Sequence, residues 1–164
     1  MSESEPDADD SERFGRVVAD ADVLAADLFI DGPAREALDI VRRHSWLTLV
    51  TSDPLLADAR TLIAELGDQS LATDWEVKIR SLCECIEHPE GDHPALAAAY
   101  HGRAVHILSF DDNLRSARTG ASIRPYVETS VKHPQGFARL FDPASLYPEV
   151  VGGEYPGPDR NPRA

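Results

Sequence analysis

The chain has 164 residues, 42% of them apolar, which suits one domain with its own core and is short for two. Its 29 acidic residues against 16 basic ones leave a formal net charge of -13, which excludes non-specific nucleic-acid binding through a basic surface at low ionic strength. No apolar stretch nears the roughly 20 residues of a membrane span, and the acidic start is unlike a secretion signal, so no membrane partner and a cytoplasmic location are expected.

Only Lys78 and Lys132 among the basic residues are lysines. Abundant aspartate with arginine replacing lysine resembles a halophilic surface, kept soluble in concentrated salt by hydrated carboxylates. In molar salt the Debye length falls to about 3 Å, so local arginines can still meet phosphate.

Ser2 to Glu12 hold six acids and no large apolar side chain, so residues 1–13 are expected to be a disordered acidic tail before a domain over 14–148. Arg16 to Ala19 is a short β-branched run ending in Asp20, and reads as a buried parallel strand. An apolar stretch, Val23 to Ile30, follows, and Gly32-Pro33 opens a helix through Arg43. Trp46 to Val50 reads as a second strand. Asp53-Pro54 reads as an N-cap and first helical position, starting a helix to about Leu66 with Leu55, Ala59, Leu62 and Leu66 on its apolar stripe. Trp75, Ile79, Leu82 and Ile86 predict a longer helix from about Ala72 to Glu87. That places Cys83 and Cys85 on different sides of a helix, as ordinary reduced thiols.

Gly91-Asp92-His93-Pro94 then caps an alanine-rich helix, Ala95 to His101. Ala104 to Phe110 is a strand that stops in Asp111-Asp112. A helix or turn over Asn113 to Arg118, a weaker strand near Arg124 to Glu128 and a helix near Pro134 to Phe141 follow. The Gly/Pro-rich end, 149–164, predicts a flexible tail. Strands alternating with helices imply a three-layer α/β/α fold around a central, mostly parallel sheet.

Carboxylates at the carboxyl ends of neighbouring strands stand where open α/β sheets bind ligands. Brought together, they repel by about 4 kcal/mol per pair at 4 Å and an effective dielectric near 20, unless a cation lies between them. The pattern therefore suggests a divalent-metal site. Each acid also has a plainer reading. Asp20 and Asp22 suit helix capping, and Asp92 before Ala95 looks like an N-cap. Asp58, beside Leu55 and Leu62 in the helical period, suits an ion pair with Arg60 or Arg35. Of Asp111 and Asp112, Asp111 is the better candidate to face a cluster.

Taken together, these segments resemble the PIN domain family of metal-dependent ribonucleases over about Val17 to Phe141. The matching stretches are Asp20-Ala21-Asp22-Val23-Leu24, Thr51 to Asp58, Asp92 to Gly102, and Ser109-Phe110-Asp111, with Val131 to Phe137 similar to the family's last strand and helix. The resemblance implies an Mg²⁺- or Mn²⁺-dependent endoribonuclease that hydrolyses RNA at a site of four acids, Asp20, Asp58, Asp92 and Asp111. It implies Asp20, Asp92 and Asp111 as direct ligands, with Asp22 and Asp58 binding directly or through water. Arg115 and Arg118, three apart, would meet substrate phosphates or simply balance surface charge.

Two alternatives stand beside it. One is a PIN-like interaction module held by an antitoxin-like protein partner, or paired as a homodimer through Val23 to Ile30 and the Trp75 helix. The other resembles the haloacid-dehalogenase-like phosphatases, using Asp20, Asp22, Thr51 or Ser52, Lys78 and Asp111-Asp112, with Asp20 as nucleophile. His88, His93 and His101 around Asp92 lack the paired spacing of a zinc site.

Overall fold

The computed structural model describes residues 11–89, 93–112, 114 and 130–162. Its centre is a five-stranded, all-parallel sheet of β1 (Arg16–Ala19), β2 (Thr48–Ser52), β3 (Glu84–Ile86), β4 (His106–Leu108) and β5 (Ser130–Lys132), in the order β3-β2-β1-β4-β5. β1 lies in the middle because Val17 and Val18 offer water no surface at all. Its register matches Val18 with Val50 on one side and with Ile107 on the other. Such runs are apolar without alternation because helices cover both faces of the sheet.

Helices α1 (Ala21–Phe29) and α2 (Pro33–Arg42) connect β1 to β2, and α3 (Asp53–Leu66) and α4 (Gln69–Leu82) connect β2 to β3. Both connections move outward on the same side of β1. The return from β3 to β4 reverses that direction through α5 (Pro94–His101), so right-handed crossovers lay α5 on the opposite face. Its alanines answer a packing demand: Ala95, Ala97, Ala98 and Ala99 are buried, bringing the helix close to the sheet. At its end a Cβ on Gly102 would stand 2.6 Å from Val50 Cγ1 and 2.7 Å from the Ala98 carbonyl oxygen, so only glycine fits there. Arg16 Nε donates to the Gly102 carbonyl at 2.7 Å, fastening the same corner.

The three-layer α/β/α expectation is met. Several boundaries differ from the sequence reading. The second strand starts at Thr48, not Trp46, and Ser52 rather than Asp53 caps α3, its Oγ accepting from the Leu55 N–H at 3.3 Å. The helix expected to reach Glu87 stops at Leu82, and Glu84–Ile86 pairs with Val50–Ser52 as β3. Cys83 is thus a helix C-cap and Cys85 a strand residue, both free thiols. Burial, with a smaller contribution from Cys85, pushes the Cys83 thiol up to about 12, so it stays protonated at neutral pH. On α3, Leu55, Leu56, Ala59 and Ile63 face the core, and Leu66 is 67% exposed. The weaker strand expected near Arg124 to Glu128 lies outside the described residues.

After α6 (Pro134–Leu140), a further helix, α7 (Pro143–Val150), is capped by Asp142. The segment beyond it returns to the α2–β2 corner. The Ile40 carbonyl accepts from His44 Nδ1 at 2.7 Å, so Nε2 of that ring accepts from the Tyr155 hydroxyl at 2.6 Å. Asp159 Oδ1 accepts from the Ser45 N–H at 2.7 Å, and the N–H groups of Asp159 and Arg160 donate to the Arg43 carbonyl. Among the described residues, no helix is long and apolar enough to cross a membrane.

Candidate functional site

β1 and β4 are neighbours in space but are reached by connections that wind in opposite directions, and the crevice outside their carboxyl ends is where such sheets bind ligands. Asp20 fills the single position between β1 and α1. It caps the helix, Oδ1 accepting from the Ala21 N–H at 2.8 Å, and it also reaches across the sheet, Oδ2 accepting from the Ser109 hydroxyl at 2.8 Å. The capping reading of Asp20 therefore holds, and the same carboxylate also bridges to the end of β4. Its own N–H donates to the Leu108 carbonyl, holding the two strand ends together.

Ser109 Oγ also accepts from the Asp111 N–H at 3.0 Å, which folds the chain back just past β4. Asp111 Oδ1 lies 3.4 Å from the Leu114 N–H that it caps. Asp22, in the first turn of α1, takes the Phe110 N–H on Oδ2 at 3.3 Å, while its Oδ1 is buried without a hydrogen-bond partner. The carboxyl is pushed up from 3.8 to about 6, first by burial and then by the charge of Asp20. Hydrogen bonds from the Val23 and Phe110 N–H groups oppose the rise, and the charge of Asp111 adds to it. The charges of Asp20 and Asp111 thus both act on Asp22, while Asp111 itself is exposed.

Other polar groups lie close by. His93 Nε2 is 3.9 Å from Asp20 Oδ2. On the adjoining strand, buried Ser52 contacts His88 Nε2 at 2.9 Å, and the buried Thr51 hydroxyl has no partner. His88 stacks on His101 at 6.4 Å.

Oxygen-only donors and an orphaned buried carboxylate oxygen fit Mg²⁺ or Mn²⁺, which prefer oxygen ligands and retain several waters. Among the described residues no group of three or more His, Cys, Asp or Glu side chains is already drawn to metal-ligand spacing. Asp20 and Asp22 are instead tied separately to Ser109 and to backbone N–H groups.

Of the residues singled out in the sequence, Asp20 and Asp111 lie near enough to Asp22 for their charges to act on it. Asp58 is exposed on α3 and makes no hydrogen bond or ion pair to them. Neither suggested arginine takes it: Arg60 pairs with Glu76 at 2.8 Å, and Arg35 donates to the carbonyls of Asp27 and Leu28. Asp92, Arg115 and Arg118 lie outside the described residues. Lys78, which the phosphatase scheme would need near Asp20, is exposed on α4. Ser109, which the sequence offers only as the residue leading into Asp111, bridges Asp20 and the Asp111 N–H.

A model of DUF7384, a family of unknown function, matches residues 11–163 of the chain. No curated protein and no solved structure matches it.

Proposed function

We propose that this chain, which belongs to DUF7384, is a divalent-metal-dependent phosphodiesterase that hydrolyses RNA at the carboxyl edge of β1 and β4. The observation that carries the reading is the nearness of Asp20 and Asp111 to Asp22, whose carboxyl is pushed up to about 6, first by burial and then by repulsion from Asp20, with Asp111 adding least. A divalent cation relieves that repulsion and supplies, when bound, a lowered pKa for an attacking water and neutralisation of phosphate charge.

The chain's own residues do the positioning. Ser109 fixes one oxygen of Asp20 and, through the Asp111 N–H, the backbone that carries the third carboxylate. The helix-capping bond from Ala21 fixes the other oxygen of Asp20. Asp22 contributes the oxygen that has no protein donor. Asp92, Arg115 and Arg118 complete the proposal as a further ligand and two phosphate contacts, and Asp58 would act only through water.

The test is cleavage of a structured RNA in molar KCl with Mn²⁺ or with EDTA. Activity should require the metal and fall by about 100-fold or more in Asp20→Asn and Asp111→Asn, with circular dichroism unchanged. Cleavage insensitive to EDTA, or to both substitutions, overturns the reading. A Mn²⁺-binding protein that leaves RNA intact would favour the interaction module.

A further inference from the structure

We propose that a second site, a cavity under α6 and α7, binds a small monocarboxylate with an aromatic or branched apolar body, its carboxylate on Lys132 Nζ. The cavity is about 370 Å³, the scale of small-molecule sites, with walls of Phe14, Phe137, Leu140, Phe141 and Leu146. His106 and Lys132 are among its polar lining, with Asp142, Ser145 and Glu149.

Lys132 ends β5 and is half-buried. Its ammonium donates to His106 Nδ1 at 3.1 Å and to Ser130 Oγ at 2.5 Å. An ammonium only donates, so His106 accepts at Nδ1 and carries its proton on Nε2. That ring stays neutral, since burial and then the Lys132 charge hold it down to about 4. Both partners of Lys132 are therefore uncharged, and among the described residues no carboxylate pairs with it. In a chain with 29 acids and only two lysines, a half-buried ammonium whose partners among the described residues are both neutral stands out. Burial also lowers Lys132 from its ordinary value, and a bound anion would remove that cost.

The mouth specifies the rest of the ligand. Phe14 is 44% and Leu140 82% exposed, which makes an apolar rim. Asp142 and Glu149 also line the opening. Asp142 is engaged in capping α7, its oxygens accepting from the Ala144 N–H and the Ser145 hydroxyl. These acids repel every anion, a dianion about twice as strongly as a monoanion, so a single carboxylate is the anion the opening opposes least. Phe141, half-buried, stacks at 4.5 Å on the buried Phe137 with the His106 ring set edge-on to both, which leaves the Phe141 ring as an aromatic surface for a ligand. The site shares no residue with the acid cluster, so it stands whether or not the protein cleaves RNA.

The probe is 3-phenylpropionate, titrated calorimetrically into the full chain beside 3-phenylpropan-1-ol and butyrate. Saturable binding is expected, at least about tenfold tighter than for the alcohol, the scale of one hydrogen bond to a charged group. Lys132→Met should abolish that preference, and Leu140→Ser, at an exposed position, should weaken the acid and the alcohol alike. Absence of saturable binding for a series of aromatic and branched monocarboxylates overturns the proposal, as does equal affinity for acid and alcohol in the wild-type protein. Sedimentation showing a dimer that Leu140→Ser dissociates would also overturn it, since the rim would then be a subunit contact.

Discussion

Asp22→Asn is a substitution whose effect should fade at low pH and change sign with metal. The rise of Asp22 from 3.8 to about 6 means that, above pH 6, the folded protein carries a charge that the unfolded chain accepts more easily. At about 1.36 kcal/mol per pH unit the gap is worth about 3 kcal/mol, which residual solvent at this half-buried side chain cuts to about 1–2 kcal/mol. Below pH 3.8 both states are protonated and the cost is absent; it grows between 3.8 and 6 and is complete above. Asparagine keeps an oxygen for the Phe110 N–H. In EDTA, Asp22→Asn should therefore be the more stable protein at pH 8 by about 1–2 kcal/mol and should show no advantage at pH 4. Mn²⁺ should reverse the ranking: at a hundred times the dissociation constant the wild type gains about 2.7 kcal/mol, and the variant, with one charge fewer, gains less. Urea unfolding at the two pH values, with EDTA or Mn²⁺, measures all four stabilities. An equal loss of stability at pH 4 and pH 8 in EDTA would refute the electrostatic reasoning, and equal gains from Mn²⁺ would remove Asp22 from the ion site.

Three other perturbations have definite outcomes. Ser109→Ala removes the donor to Asp20 and the acceptor of the Asp111 N–H, and should cost about 1–3 kcal/mol in urea unfolding and weaken Mn²⁺ binding by about 10–100-fold. Arg42 meets both oxygens of buried Asp27, at 2.9 and 2.7 Å, and Asp39 Oδ1 at 2.7 Å. Arg42→Met should cost about 3–5 kcal/mol in the same assay by stranding that charge, and adding Asp27→Leu should restore most of it. Tyr155→Phe loses the hydroxyl that donates to His44 Nε2; about 1 kcal/mol of stability and faster amide exchange at Asp159 and Arg160 are expected, and unchanged exchange would count against a docked terminus.

The parts of the fold that were legible in the sequence are those with local causes. A β-branched run between polar boundaries locates β1 at Arg16–Ala19, and alternation with helices leads to the parallel sheet. Ile86 shows where such reasoning stops: it continues the helical period of Trp75 and Ile79, yet pairing with Ser52 draws it into β3. Asp58 fits the edge of an apolar stripe on a helical wheel, but the wheel alone does not say which side of the stripe meets α1 and which meets water. The closing segment has no period at all, because Tyr147 and Tyr155 pack as isolated rings on Trp46 and His44. In the candidate site, the strand-terminal aspartates read from the sequence do stand at the carboxyl ends of β1 and β4. The Ser109–Asp20 hydrogen bond joins residues 89 apart, and no local pattern carries a contact at that separation.

The central claim is that Asp20, Asp22 and Asp111 together hold a divalent ion. Crystals grown with Mn²⁺ and measured at its absorption edge test it most directly. The account predicts an anomalous peak in the crevice beyond β1 and β4, within coordination distance of oxygens from Asp20, Asp22 and Asp111. A peak elsewhere on this acidic surface, with those three carboxylates unchanged and unbound, would contradict it.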